Sequence, residues 1–173
     1  MANTIAALEA EGATRNVAVS DSSVRGNRAE IMWANRFQIP RDSQYVIWVG
    51  SNDLDREGAH PQVILSWILH LQRFLTERGA QAYVVMVPGR FRFRFRRATY
   101  SETLRRNKEM RNGLNRSLRR ELRYKFISIP NNCFREEEYV DGIHLNSNLY
   151  RTVAVRVFRQ ISFDLVRQGL PPL

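Results

Sequence analysis

Residues 44–53 read QYVIWVGSND, and this stretch is the strongest structural signal in the chain. Its first six residues are almost continuously apolar and rich in β-branched and aromatic side chains, which is typical of a strand buried on both faces. Pro40 precedes this run and Gly50 ends it, so the strand is bounded on both sides. Asn52 and Asp53 follow directly in a tight turn. The stretch therefore predicts a core strand that delivers polar side chains to one edge of a sheet.

Three further apolar runs predict strands at residues 16–20 (NVAVS), 82–87 (AYVVMV) and 126–129 (FISI). Apolar residues at helical spacing predict long helices over residues 61–79, 100–123 and 147–167. Continuous apolar strands that alternate with helices are typical of a parallel sheet covered on both faces. The pattern predicts an α/β protein, a three-layer α/β/α sandwich with a mainly parallel central sheet of four to five strands.

The loops that follow strands in such a sheet meet at one edge, where ligands bind. The first block, Ser20-Asp21-Ser22, offers a serine hydroxyl as a nucleophile, although serines and aspartates are also common helix caps. The second block, residues 50–53, offers the Asn52 amide as a donor to an oxyanion, although asparagine and aspartate also suit a plain turn. The third block, residues 141–144, places Asp141 three positions before His144, which is the pairing that a general base requires.

Together the three blocks, S-D-S at 20–22, G-S-N-D at 50–53 and D-G-I-H at 141–144, resemble the SGNH (GDSL-type) hydrolase family, in the same order along the chain. The resemblance covers residues 16–166 and implies a flavodoxin-like SGNH fold. It also implies roles: Ser22 attacks an ester carbonyl, His144 takes the proton, and Asp141 orients His144. Asn52 and the backbone N–H of Ser22 would bind the oxyanion.

Two departures from the family pattern accompany the resemblance. Ser20 stands where the family has a glycine in the first block. Gly26 is the only glycine between Ser22 and the Gly50 block, and it lies too close to Ser22 to act as the family's second oxyanion glycine. This implies an oxyanion hole with one donor fewer, and the loss of one such donor typically costs a few kcal/mol of barrier.

The chain carries a formal net charge of +10, and all of its basic residues except Lys108 and Lys125 are arginines. Residues 90–125 hold 14 basic residues against three glutamates, so this segment contains the whole excess. Such a concentration favours a polyanionic partner, because guanidinium groups bind phosphates in a bidentate manner. The candidate nucleic-acid-binding residues are Arg90, Arg92, Arg94, Arg96, Arg97, Arg105, Arg106, Arg116, Arg119, Arg120 and Arg123.

The segment begins with RFRFRFR at residues 90–96, which alternates with period two. In an extended arm, the arginines would line one face and the phenylalanines the other. The phenylalanines would pack on the protein itself, on a second subunit or on bases, with packing on protein the favoured reading. For the arginines, nucleic acid is favoured over the alternatives of a plain solvated surface or an anionic membrane.

Other features of the sequence limit the class of protein that we expect. A single cysteine, Cys133, excludes an internal disulfide framework. Neither a secretory signal nor a membrane-spanning run is expected, so we predict an intracellular protein, cytoplasmic or nuclear, with no cofactor. We expect a lead-in segment over residues 1–15, one domain over 16–168 and a tail over 169–173.

Two functions from different classes are consistent with the sequence. The favoured one is an SGNH-type serine esterase acting on acyl or acetyl esters, with a basic surface for nucleic acid. The alternative is a catalytically silent SGNH-like fold that binds RNA rather than DNA. The resemblance includes SGNH-like domains of retrotransposon-encoded proteins, which would join both activities. The sequence does not determine the oligomeric state.

Overall fold

The computed structural model describes residues 2–22 and 26–173. Its centre is a parallel sheet of β1 (Gln44–Ile47), β2 (Gln81–Val85) and β3 (Phe126–Ile127), in the order β1-β2-β3. Gln44 pairs with Gln81 and Val84 pairs with Phe126, which sets the register of the sheet. Strand β2 is the central strand and is almost completely buried, in agreement with its continuous apolar sequence.

The predicted strand at residues 16–20 is wrong, and the described part of the sheet has three strands rather than four to five. Helix α1 (Ala2–Thr14) ends here in a Schellman-type turn, because the N–H of Val17 donates to the carbonyl of Gly12 at 2.8 Å. Asn16 adopts a φ of 57°, in the left-handed region that such a turn requires. Apolar residues alone do not make a strand, which needs a neighbouring strand to satisfy its backbone groups.

Helices lie on both sides of the sheet and supply most of the core. The long helices are α4 (Pro61–Glu77), α5 (Tyr100–Leu122) and α6 (Ser147–Arg167), which confirms the three predicted from helical spacing. Two short helices, α2 (Ala29–Ala34) and α3 (Ser51–Leu54), were not predicted, because they are too short for a periodic pattern to show. Helix α4 packs against α2, α5 and β2, while α6 packs against α1 and β3.

Both ends of the chain pack on helix α6. The predicted lead-in coincides with α1, where a Cβ on Gly12 would lie 3.4 Å from the ring of Phe158, and the Arg15 guanidinium lies 5.6 Å from the centre of the same ring. At the other end, the backbone N–H of Leu173 donates to the hydroxyl of Ser162. The division into lead-in, domain and tail stays a prediction. In the described part of the chain, none of the helices combines the length and the apolar character needed to cross a membrane.

The turn after β1 requires glycine for two reasons. Gly50 has a φ of 123°, in a region that side chains strongly disfavour. A Cβ at this position would also lie 2.8 Å from a methyl group of Val87, which follows β2. The close approach of these two loops places helix α3, with Asn52, at the carboxyl edge of the sheet.

Candidate active site

The turn Asp141–His144, which precedes helix α6, holds a carboxylate and an imidazole in direct contact. The Nδ1 atom of His144 lies 2.6 Å from Oδ2 of Asp141. The backbone N–H groups of Ile143 and His144 donate to the other oxygen of Asp141 at 2.9 and 2.7 Å. In the tautomer in which Nδ1 donates to the carboxylate, Nε2 keeps its lone pair and can accept a proton.

The environment of Asp141 favours its charged form. Partial desolvation raises the pKa of this carboxyl, but the backbone and ring N–H groups of His144 and the N–H of Ile143 outweigh it and hold the pKa well below its usual range. Asp141 is therefore a carboxylate near neutral pH. The side chains remain accessible, with 46% of His144 and 36% of Asp141 exposed, so the pair lies in an open site rather than in a deep pocket.

Asn52 is the predicted oxyanion donor, and hydrogen bonds fix both the oxygen and the nitrogen of its carboxamide. Its Oδ1 accepts a hydrogen bond from Nη1 of Arg90 at 3.2 Å, and its Nδ2 donates to the backbone carbonyl of Asn27 at 3.2 Å. Because Arg90 can only donate, it fixes which end of the carboxamide is oxygen. One amide N–H of Asn52 donates to Asn27, and within residues 2–22 and 26–173 the second has no acceptor, so it is available to a ligand.

Arg90 is buried, so its prediction as a nucleic-acid-binding residue is wrong. Only 3% of its side chain is exposed, and its Nη2 lies 2.8 Å from Oδ2 of Asp55, whose side chain is 2% exposed. The guanidinium also donates to the hydroxyl of Ser51 at 3.3 Å and to the carbonyl of Arg92 at 2.8 Å. The period-two pattern predicted that Arg90 lies on the exposed face of the arm. Arg90 is buried instead, because it forms an ion pair with Asp55, which is distant in sequence.

The segment that follows Arg90 joins the second and third sequence blocks. The backbone N–H groups of Phe91 and Arg92 donate to the carbonyl of Gly142 at 2.7 and 3.2 Å. A Cβ on Gly142, whose φ is 80°, would lie 2.9 Å from the Cβ of Arg92. The side chain of Arg90 therefore contacts the Asn52 loop, while the backbone of the next two residues contacts the Asp141–His144 turn.

Asp53 has a structural role, and its hydrogen-bond partner lies well before it in the chain. Both of its carboxylate oxygens accept from the backbone N–H of Ala29, at 3.0 and 3.2 Å. Burial raises the pKa of Asp53, and the Ala29 hydrogen bonds oppose that effect. Asn52 and Asp53 thus attach the chain after the first block to the loop after β1.

Ser22, the predicted nucleophile, lies exposed in the irregular segment after α1. Among the residues that the structure describes, no hydrogen bond joins Ser22 to His144 or to Asn52. The structure thus brings Asp141 and His144 together and links them to Asn52 through residues 90–92. The assignment of Ser22 as nucleophile and of its N–H as an oxyanion donor stays a prediction.

Sequence reasoning missed Asp55 and the internal role of Arg90. Asp55 accepts the backbone N–H groups of Arg94 and Phe95 in addition to its ion pair with Arg90. Its only signal in the sequence is a charged residue two positions after the G-S-N-D block. Such a position is as typical of a solvated loop as of a buried anchor.

The Phe/Arg arm, residues 90–96, is irregular rather than a strand. Its phenylalanines pack on the protein, as favoured from the sequence: the ring of Phe91 lies 5.1 Å from that of Tyr139, and the ring of Phe93 lies 6.1 Å from that of Tyr100. The arginines that alternate with them, except Arg90, point to solvent. The other predicted nucleic-acid contacts are also exposed, namely Arg92, Arg94, Arg96, Arg97, Arg105, Arg106, Arg116, Arg119, Arg120 and Arg123.

The fold, a parallel sheet covered by helices on both sides, is shared with solved structures of GDSL-type proteins. Among solved structures, this chain is similar to a GDSL-like lipase from Bacteroides thetaiotaomicron, with a TM-score of 0.70 and 10% identity over 98% of this chain and 84% of that one. It is also similar to a member of the lipolytic G-D-S-L family from Veillonella parvula, with a TM-score of 0.66 and 14% identity over 88% and 85% of the two chains.

An acetylxylan esterase from Geobacillus stearothermophilus, Axe2, is similar with a TM-score of 0.62 and 13% identity over 92% of this chain and 78% of that one. No family model and no curated protein sequence matches this chain. At such low identity these likenesses establish the fold, which confirms the fold class predicted from the sequence.

Proposed function

We propose that this protein is a serine esterase that hydrolyses acyl or acetyl esters. The observation that carries the proposal is the 2.6 Å contact between His144 Nδ1 and an ionised Asp141, on a fold shared with GDSL lipases and acetylxylan esterases. This contact leaves Nε2 of His144 as a general base at an exposed site. The hydrolytic fold of the neighbours makes an ester the natural substrate class.

In the proposed reaction, His144 Nε2 takes the proton of the Ser22 hydroxyl while Ser22 Oγ forms a bond to the ester carbonyl carbon. Asp141 stabilises the imidazolium that results. The negative charge on the carbonyl oxygen is stabilised by the free N–H of Asn52 and by the backbone N–H of Ser22. The alcohol then leaves with the proton from His144, and water repeats the sequence on the acyl-enzyme to release the acid.

The test is hydrolysis of 4-nitrophenyl acetate by the purified protein and by Ser22→Ala and His144→Ala variants. We expect each substitution to lower kcat by roughly 10⁴-fold or more, because members of a triad act as a unit. His60→Ala, which removes an exposed histidine that precedes helix α4, is the matched control and should keep wild-type activity. Turnover that survives in the Ser22→Ala variant would contradict the assignment of the nucleophile.

We also propose that the exposed arginines of residues 92–123 bind the phosphates of a nucleic acid, RNA in preference to DNA. Few carboxylates are available to neutralise this surface: among the described residues, the ion pairs of its exposed arginines are those of Arg105 and Arg106 with Glu109 and of Arg120 with Glu121. This activity would accompany esterase activity or replace it in a catalytically silent protein. An anionic membrane surface is the alternative ligand for the same charges.

Binding of a short single-stranded RNA as a function of salt tests this second proposal. We expect the logarithm of affinity to fall with the logarithm of salt concentration, by about 0.7 for each phosphate contacted. Arg116→Gln should reduce that slope, whereas Arg159→Gln, an exposed residue of helix α6 outside the basic segment, should not. Absence of RNA binding at low salt, with binding to anionic vesicles, would assign the surface to a membrane.

A further inference from the structure

A small cavity of about 50 Å³ lies next to Asp55, the ion-pair partner of Arg90. The loop after helix α3 forms one wall, the Phe/Arg arm forms the second, and the first turns of helix α5 form the third. A single water needs roughly 10–15 Å³ of such volume, so the cavity has room for a ligand with several heavy atoms. Its apolar lining includes Leu54, Phe93, Phe95 and Met110.

Asn107 on helix α5 lines this cavity, and it is buried with only 5% of its surface exposed. In the described part of the chain its carboxamide makes no hydrogen bond. Every fully enclosed side-chain polar atom of the described residues has a hydrogen-bond partner, so the polar atoms of the Asn107 carboxamide keep some contact with solvent. The Asn107 carboxamide is therefore placed to bind a ligand in the cavity.

Three arginines, Arg56, Arg97 and Arg106, line the same cavity. Among the residues that the structure describes, Arg56 and Arg97 form no ion pair, and Arg106 has only a 4.0 Å contact with Glu109.

The one carboxylate in the cavity wall, Asp55, is already neutralised. It accepts from the Arg90 guanidinium at 2.8 Å and from the backbone N–H groups of Arg94 and Phe95. Among the described residues, no ion pair offsets the guanidinium groups of Arg56 and Arg97, so the cavity carries a net positive charge.

We propose that this cavity binds a phosphate group. A phosphate is a tetrahedral oxyanion whose oxygens accept bidentate hydrogen bonds from guanidinium groups and a further one from an amide N–H. Arg56, Arg97 and Arg106 supply the charge, and Asn107 supplies an amide donor. The phosphate comes from a small phosphorylated compound or from a nucleic acid strand. The site uses neither Ser22 nor His144, so it is independent of the esterase activity, but it shares Arg97 and Arg106 with the proposed nucleic-acid surface.

The test measures binding of inorganic phosphate to the full chain by calorimetry. Wild-type protein should bind, and Arg97→Gln should weaken binding at least about tenfold. Asn107→Asp, which keeps the size of the side chain, should abolish it because like charges repel. Arg159→Gln removes one exposed positive charge on helix α6 and is the matched control for net charge. Thermal unfolding of each variant establishes that it is folded.

Binding that is lost in Arg97→Gln and retained in Arg159→Gln would support the site. No binding by the wild type, or equal binding by the wild type and both cavity variants, would overturn it. Competition then identifies the source of the phosphate. The competitor is a dinucleotide with or without a 5′-phosphate. If only the 5′-phosphorylated dinucleotide displaces inorganic phosphate, the site binds a terminal phosphate. If both dinucleotides displace it, the site binds a backbone phosphodiester. Displacement by glycerol phosphate alone indicates a small phosphorylated compound.

Discussion

Replacement of Arg90 by methionine removes one partner of a buried ion pair and keeps most of the side-chain volume. The guanidinium donates to Asp55, to the Asn52 carboxamide, to the Ser51 hydroxyl and to the carbonyl of Arg92. Breaking a buried pair by removal of one partner typically costs about 3–5 kcal/mol. Asp55 keeps two backbone donors after the change, so we expect a loss in the free energy of unfolding near the lower end, about 3 kcal/mol.

For a domain of this size, 1 kcal/mol corresponds to roughly 2–4 °C in Tm, so Tm should fall by about 6–12 °C. Urea unfolding followed by circular dichroism measures the same loss directly. Arg94→Met is the matched control, because Arg94 is an exposed residue of the same arm, and it should stay within about 0.5 kcal/mol of wild type. An Arg90→Met variant as stable as this control would refute the reasoning.

The double variant Arg90→Met/Asp55→Asn distinguishes the contribution of the ion pair to stability from the contribution of side-chain packing. Once Arg90 is absent, an uncharged residue at position 55 removes the unpaired buried charge. The double variant should therefore be destabilised by clearly less than the sum of the two single variants. Additive losses would show that the two side chains act independently. Under assay conditions in which Arg90→Met is folded, kcat should also fall, because Asn52 loses the contact that orients its amide.

Two further substitutions concern the Asp141–His144 turn. Gly142→Ala places a methyl group 2.9 Å from the Cβ of Arg92 and forces alanine to a φ of 80°, so we expect a loss of about 1–3 kcal/mol in urea unfolding together with lower esterase activity. Asp141→Asn should lower stability near neutral pH, because the pKa of Asp141 is depressed in the folded state. A depressed pKa stabilises the fold above the unfolded value of about 3.9, and this stabilisation is lost as the pH falls toward the folded value. The stability difference between wild type and Asp141→Asn should therefore shrink below about pH 4, and a difference that stays constant with pH would contradict this account.

Local patterns predicted the features whose causes are local. The three long helices follow from apolar residues at helical spacing and from the Pro61 that opens α4. The Asp141–His144 contact was also predictable, because three-residue spacing across Gly142 brings both groups to one turn. The apolar run at residues 16–20 failed as a strand, because strand formation depends on a neighbouring strand that the run itself does not specify.

Composition and local spacing in the sequence therefore determined the α/β class, the long helices, the Asp–His pair and the concentration of positive charge. Tertiary structure alone decided which charges lie inside. Arg90 and Arg92 belong to one alternating pattern, yet Arg90 is buried because Asp55 pairs with it from a distant loop. That Asn107 lines a cavity is likewise visible only in the tertiary structure, where helix α5, the Phe/Arg arm and the loop after α3 meet. Whether a charged or polar group is buried depends on the partners available in three dimensions, since its desolvation must be offset by hydrogen bonds from elsewhere in the chain.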